Sequence, residues 1–139
     1  YDRDLDQFKV SGRIGYAWAG SDRSTVASSI AVFHKATGLN LAFATGRQQD
    51  TGADYTYLKL GLKRRWIDMG ETAVSFDLFK GDDLAGIGSQ SKSYGLGIVQ
   101  KWDRYNTELY AGYRNYELTG ASVPVADIDV AVIGARWKF

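Results

Sequence analysis

The stretch Asp127-Ile128-Asp129-Val130-Ala131-Val132-Ile133-Gly134-Ala135-Arg136-Trp137-Lys138-Phe139 decides the fold. Its odd positions Ala131, Ile133, Ala135, Trp137 and Phe139 form one apolar row, whereas Val130, Val132, Gly134, Arg136 and Lys138 point the other way and end in charge. Alternation with period two is the signature of a strand with one apolar face. Such a strand in a water-soluble fold would rarely close on Trp-x-Phe with nothing following to cover the rings, so an apolar surrounding is expected for this face.

Composition narrows the rest. The 139 residues make one domain, 1–139, and the 45% hydrophobic content contains no tract near the ~18 consecutive apolar residues of a membrane helix. Aromatic residues reach 14%, with nine Tyr, four Trp and six Phe, beside 16 Gly and a single Pro. Strand formers and turn formers therefore dominate. The absence of Cys removes a disulfide framework and a thiolate metal site. A formal net charge of +1 gives no field that would draw the chain to nucleic acid, which is not expected as a partner.

Working back from the C-terminal stretch, the same alternation recurs. Residues 1–6 have no period and read as a solvated lead-in. A strand over Gln7 to Ala19 sets Phe8, Val10, Ile14, Tyr16 and Trp18 against Lys9, Ser11, Arg13 and Gly15. Thr25 to His34 is a second strand whose phase stays open, because Ile30 and Val32 favour one face and Ala31 and Phe33 the other. Leu39 to Gly46 follows a tight turn. Tyr55 to Trp66 alternates Leu58, Leu60, Leu62 and Trp66 with Lys59, Gly61, Lys63 and Arg65. Ile67 to Glu71 is read as a turn, then Thr72 to Lys80, Lys92 to Trp102 and Thr107 to Leu118 complete the set. Eight strands are expected in all, including the last.

No helical period interrupts them, and the connections alternate in length: long at Arg47, Gly81 and Thr119, short at Lys35, Ile67 and Asp103. Trp66, Trp102 and Trp137 fall near the short-turn edge, while Tyr16, Trp18, Tyr55, Tyr57, Phe79 and Tyr94 fall near the long loops and read as a second aromatic girdle. The expected fold is all-β, an antiparallel up-and-down transmembrane β-barrel with eight strands in this chain, both termini on the short-turn, periplasmic rim. A soluble up-and-down barrel would reverse the faces. The girdles, and Gly15, Gly61, Gly95, Gly97, Gly112 and Gly134 on the polar face, count against it.

A resemblance covers nearly the whole chain. Gly134, Trp137 and Phe139 fit the terminal glycine-x-x-aromatic-x-phenylalanine pattern of bacterial outer-membrane barrels. The runs Ser29 to Leu41, Lys92 to Lys101, Glu108 to Arg114 and Gly134 to Phe139 resemble the C-terminal half of Gram-negative general porins, which have sixteen strands. The resemblance implies an outer-membrane location, passive diffusion of small hydrophilic solutes, contact with lipid and lipopolysaccharide, and recognition of Gly134, Trp137 and Phe139 by the barrel assembly machinery. It further implies other porin chains, or an N-terminal half, as neighbours. The half that would carry a constriction loop is not in this sequence, so no constriction residue is carried over.

Catalysis is not expected. His34 stands alone beside a turn and reads as an interfacial polar side chain, and Gly95-Leu96-Gly97 and Gly86-Ile87-Gly88 lack the strand-to-helix context of a phosphate loop. No cofactor or metal is implied. The informative set is the polar row, where Arg13, Lys59, Lys63, Arg114 and Arg136 lie near mid-depth with Asp77 as their main counter-charge. In a closed eight-stranded barrel these cations would be buried largely unpaired, at several kcal/mol per ion, whereas a barrel of ~16 strands keeps them hydrated. The row favours a pore wall with mild anion preference; the chain length suffices for a closed, non-conducting small barrel. Both architectures stand at this point.

Overall fold

The computed structural model describes residues 1–19 and 23–138. They form one antiparallel sheet in strict chain order, β1 (Asp2–Asp4), β2 (Phe8–Ala19), β3 (Arg23–His34), β4 (Leu39–Gln48), β5 (Asp54–Ile67), β6 (Gly70–Asp82), β7 (Gln90–Trp102), β8 (Thr107–Thr119) and β9 (Ile128–Trp137). The architecture is up-and-down, each strand bonded to the next, and a single 3-10 turn at Asp103–Tyr105 is the one helical piece among the described residues.

Nine strands replace the expected eight. The lead-in is not free: Asp2, Arg3 and Asp4 pair with Ser11, Val10 and Lys9, and Asp4 forms ion pairs with Lys9 and Lys35. Three charged residues have no readable period, which is why only the pairing reveals β1. The sheet is also open. Among the described residues β9 pairs with β8 alone, and β1 covers β2 only around Lys9 to Ser11, so the closed eight-stranded barrel is not what the chain adopts here.

Register settles the strand left open by its pattern. Val10 faces Val32 and Gly12 faces Ile30 across β2 and β3, and Val32 and Ile30 face Leu41 and Phe43 on β4. Cross-strand partners share a face, so the row Val10, Val32, Leu41, Leu60, Phe76, Leu96, Tyr113, Ala131 runs over eight strands on one apolar side. The other side carries the polar row, and Phe33 joins that side.

The connections keep the alternating lengths read from the sequence: 49–53, 83–89 and 120–127 at one edge, 35–38, 68–69 and 103–106 at the other. The bend at 35–38 uses Gly38, at φ 77°, where an added Cβ would run into the Lys63 carbonyl. On β5 the pairing shifts between Arg64 and Ile67, a bulge beside the short turn. Residues 20–22 of the first expected loop lie outside the described residues.

The sheet encloses no apolar core. Ala53 is the one buried hydrophobic residue among those described, while Leu60 and Leu96 stand 53% and 55% exposed in the middle of the apolar face. Burial instead favours the polar side, where Asp77 and Glu108 are 7% and 8% exposed.

Candidate functional site on the polar face

The polar side is organised in cross-strand rows. One row reads Lys59, Asp77, Gly95, Arg114, Val130 from β5 to β9. Arg114 donates through Nη2 to Asp77 at 2.5 Å, passing over Gly95, and through Nη1 to the Ser93 hydroxyl at 3.1 Å. Gly95 is required for this reach, since a Cβ there would sit 2.6 Å from the Arg114 Nη2. Lys59 stands opposite Asp77 but forms no ion pair among the described residues.

A second set lies toward the short-turn edge. Glu71 binds Lys63 at 3.0 Å and Lys101 at 2.7 Å, and Glu108 holds Arg136 at 2.8 Å and Lys138 at 2.5 Å. This corrects the expectation of a cationic row facing Asp77 as its main counter-charge. Glu71 belongs to β6 rather than to a turn, and Glu108 sits on the same face as Arg136. Lys63, Arg114 and Arg136 are each paired, leaving Lys59 and Arg13 as the cations of the row without an ion pair among the described residues.

The structure brings Lys59, Lys63 and Arg136 together with Asn40 and Tyr110 along one depression of about 580 Å³ that spans β4 to β9. Arg13 does not join them; it is exposed on β2, opposite Ser29. Gly134 lies beneath Tyr110, whose hydroxyl an added Cβ would overlap. Trp137 stands opposite Thr107 on the apolar side, and Phe139 lies outside the described residues. His34 is hydrogen-bonded to the Thr37 hydroxyl at 2.7 Å and lies against Phe8, the ring centroids 4.7 Å apart and the planes tilted by 30°.

The expected girdle near the long connections is corrected as well. Tyr57 pairs with Ala44 and Phe79, and Phe79 with Ser93, so Tyr57 and Phe79 belong to the polar face, as does Tyr55, whose ring lies over Gly46. Only Tyr16, Trp18 and Tyr94 of that set remain on the apolar side. Strict parity contains the signal: Tyr55 and Tyr57 share odd numbering with Lys59 and Lys63, and Phe79 with Asp77. The row continues as Tyr57, Phe79, Ser93, Tyr116, directly above Asp77 and Arg114.

Such a face can hold and orient polar solutes through fixed charge pairs, hydroxyls and rings. Among the described residues no group of three or more His, Cys, Asp or Glu is arranged to hold a metal ion. Comparison of the chain with protein-family models, with curated proteins and with solved structures finds no match.

Proposed function

We propose that this sheet is part of the wall of a porin-type outer-membrane β-barrel whose polar face lines a water-filled channel for passive diffusion of small hydrophilic solutes. One observation carries the reading: the sheet covers its acids and presents its leucines. Asp77 and Glu108 are nearly buried on one side, while Leu60, Leu96, Ile98 and Phe76 stand exposed on the other across neighbouring strands, with no core between. In water that arrangement forgoes the main driving force of folding; against lipid it is the favourable one. Strands of 10 to 14 residues from β2 to β9 meet or exceed the ~9–11 that a tilted span requires.

The open edges belong to the same reading. Lipid offers no hydrogen-bond partners, so the outer backbone of β9 and of β2 beyond Gly12 calls for further strands of a wider wall, from a longer chain or from a second chain. The long connections then face outward and the short turns the periplasm, where Gly134, Trp137 and Phe139 serve as the signal to the assembly machinery. Asp77 offsets Arg114, whereas Glu71 and Glu108 are each shared by two cations, so a modest positive excess at these clusters adds to Lys59 and Arg13 and the anion preference is mild.

The test is conductance. The full chain, folded from detergent and added to planar bilayers, is expected to give stable nanosiemens-scale steps. A chain that instead closes on itself into a folded, heat-modifiable and electrically silent barrel would assign it to a structural or partner-binding role.

A further inference from the structure

The aromatic row on the polar face is a second, distinct constellation. Tyr57 on β5, Phe79 on β6, Ser93 on β7 and Tyr116 on β8 are successive register partners, and Tyr55 adds a ring stacked on Phe79 with centroids 5.9 Å apart and planes 18° off parallel. A depression of about 470 Å³ lies against this row, lined also by Val125 and Ala126 of the β8–β9 connection. Below it the Arg114 guanidinium, already bound to Asp77 and Ser93, stands 5.9 Å from the Tyr116 ring centre.

Four large rings gathered at one level of the polar face need a reason. They are not membrane-belt residues, because register turns them away from the apolar side. Nor do they close a core, since none of the four aromatic side chains is buried. Four adjacent strands set the row at roughly 14 Å from Tyr57 to Tyr116, given ~4.8 Å between strands. The row therefore offers flat apolar surface in line, with hydroxyls and a guanidinium fork at its margin.

We propose that the row Tyr57, Phe79, Ser93 and Tyr116 is a binding platform for a short neutral oligosaccharide. A pyranose ring has an apolar C–H face and a rim of hydroxyls, which matches rings beneath and Arg114, Ser91 and Ser93 at the side. A flat apolar ligand would match the rings but make no use of the serine hydroxyls and the remaining guanidinium N–H groups at their margin. The proposal names a solute class for the channel and rests on that reading for the sugar's access to the row.

Maltotriose titrated into the detergent-folded full chain by calorimetry tests it, with indole and triethylene glycol as comparators. Saturable maltotriose binding is expected, weakened about tenfold by Tyr57→Ala or Phe79→Ala and kept within about twofold by Tyr57→Phe and Phe79→Tyr, variants that preserve ring and fold. Absence of binding, binding indifferent to all four substitutions, or tighter binding of indole than of maltotriose overturns the proposal. Conductance recorded in parallel separates the two readings: a silent barrel that binds the sugar through the row keeps the platform and loses the channel, and a conducting one that ignores it does the reverse.

Discussion

Arg114 on β8 reaches over Gly95 on β7 to pair with Asp77 on β6, so a single ion pair ties three neighbouring strands. The carboxylate is nearly buried, whereas the Arg114 side chain keeps 31% of its surface. Gly95→Val is expected to displace the guanidinium and leave Asp77 without its cation. Because the arginine is partly solvated, the loss is about 1–3 kcal/mol rather than that of a fully buried pair. Urea unfolding in detergent reads it, and an unchanged midpoint would mean that the pair contributes nothing to stability.

Charge neutralisation on the polar face gives a prediction with a sign. Glu71→Gln together with Glu108→Gln releases Lys63, Lys101, Arg136 and Lys138 from their carboxylates, so reversal potentials in a salt gradient should move toward anion preference. Lys59→Glu should move them toward cations. A reversal potential that ignores all three changes would show that some other part of the wall governs permeation.

The two faces should answer differently to the same residue. Leu60→Arg places a guanidinium in the middle of the apolar side and is expected to cost about 2–4 kcal/mol in lipid, whereas Ser75→Arg, next to Gly61 and Gly97 on the polar side, should stay within about 1 kcal/mol. Unfolding from lipid vesicles measures both. Equal costs would mean that the apolar side does not meet lipid.

The free edges predict a cross-linking pattern. With Ser11→Cys and Val132→Cys in one chain, oxidation is expected to yield little intramolecular disulfide, because β2 and β9 lie at opposite ends of the sheet. Antiparallel addition to β9 also needs β2 rather than β1, since β1 and β9 run in the same sense, so β1 must come away where a wall is completed. Efficient closure within one chain would instead establish a small barrel.

Much of this fold was legible because a strand with one apolar face writes its period directly: Leu58, Leu60 and Leu62 against Lys59, Gly61 and Lys63 needed no further information. What was not legible depended on neighbours. The phase of Thr25 to His34 is decided by Val10 and Leu41 across the sheet, not by its own mixture of Ala, Val and Phe. β1 is too short to show a period. Glu71 reads as a turn residue because β6 begins only one position before it, at Gly70, and its partners Lys63 and Lys101 come from other strands. Tyr57 and Phe79 lie near loops, but parity places them with Lys59 and Asp77.

Four glycines of the polar face share one geometry. Tyr55 lies across Gly46, Asn40 across Gly61, Arg114 across Gly95 and Tyr110 across Gly134, each side chain folded down onto a neighbouring strand that has no Cβ to lift it. In the proposed channel wall, this sets thickness. Long residues lie along the lining instead of projecting from it, and the clear width is kept by what four positions lack. An alanine at any of them would raise the overlying side chain toward the axis, narrowing the passage from a residue that never touches a solute.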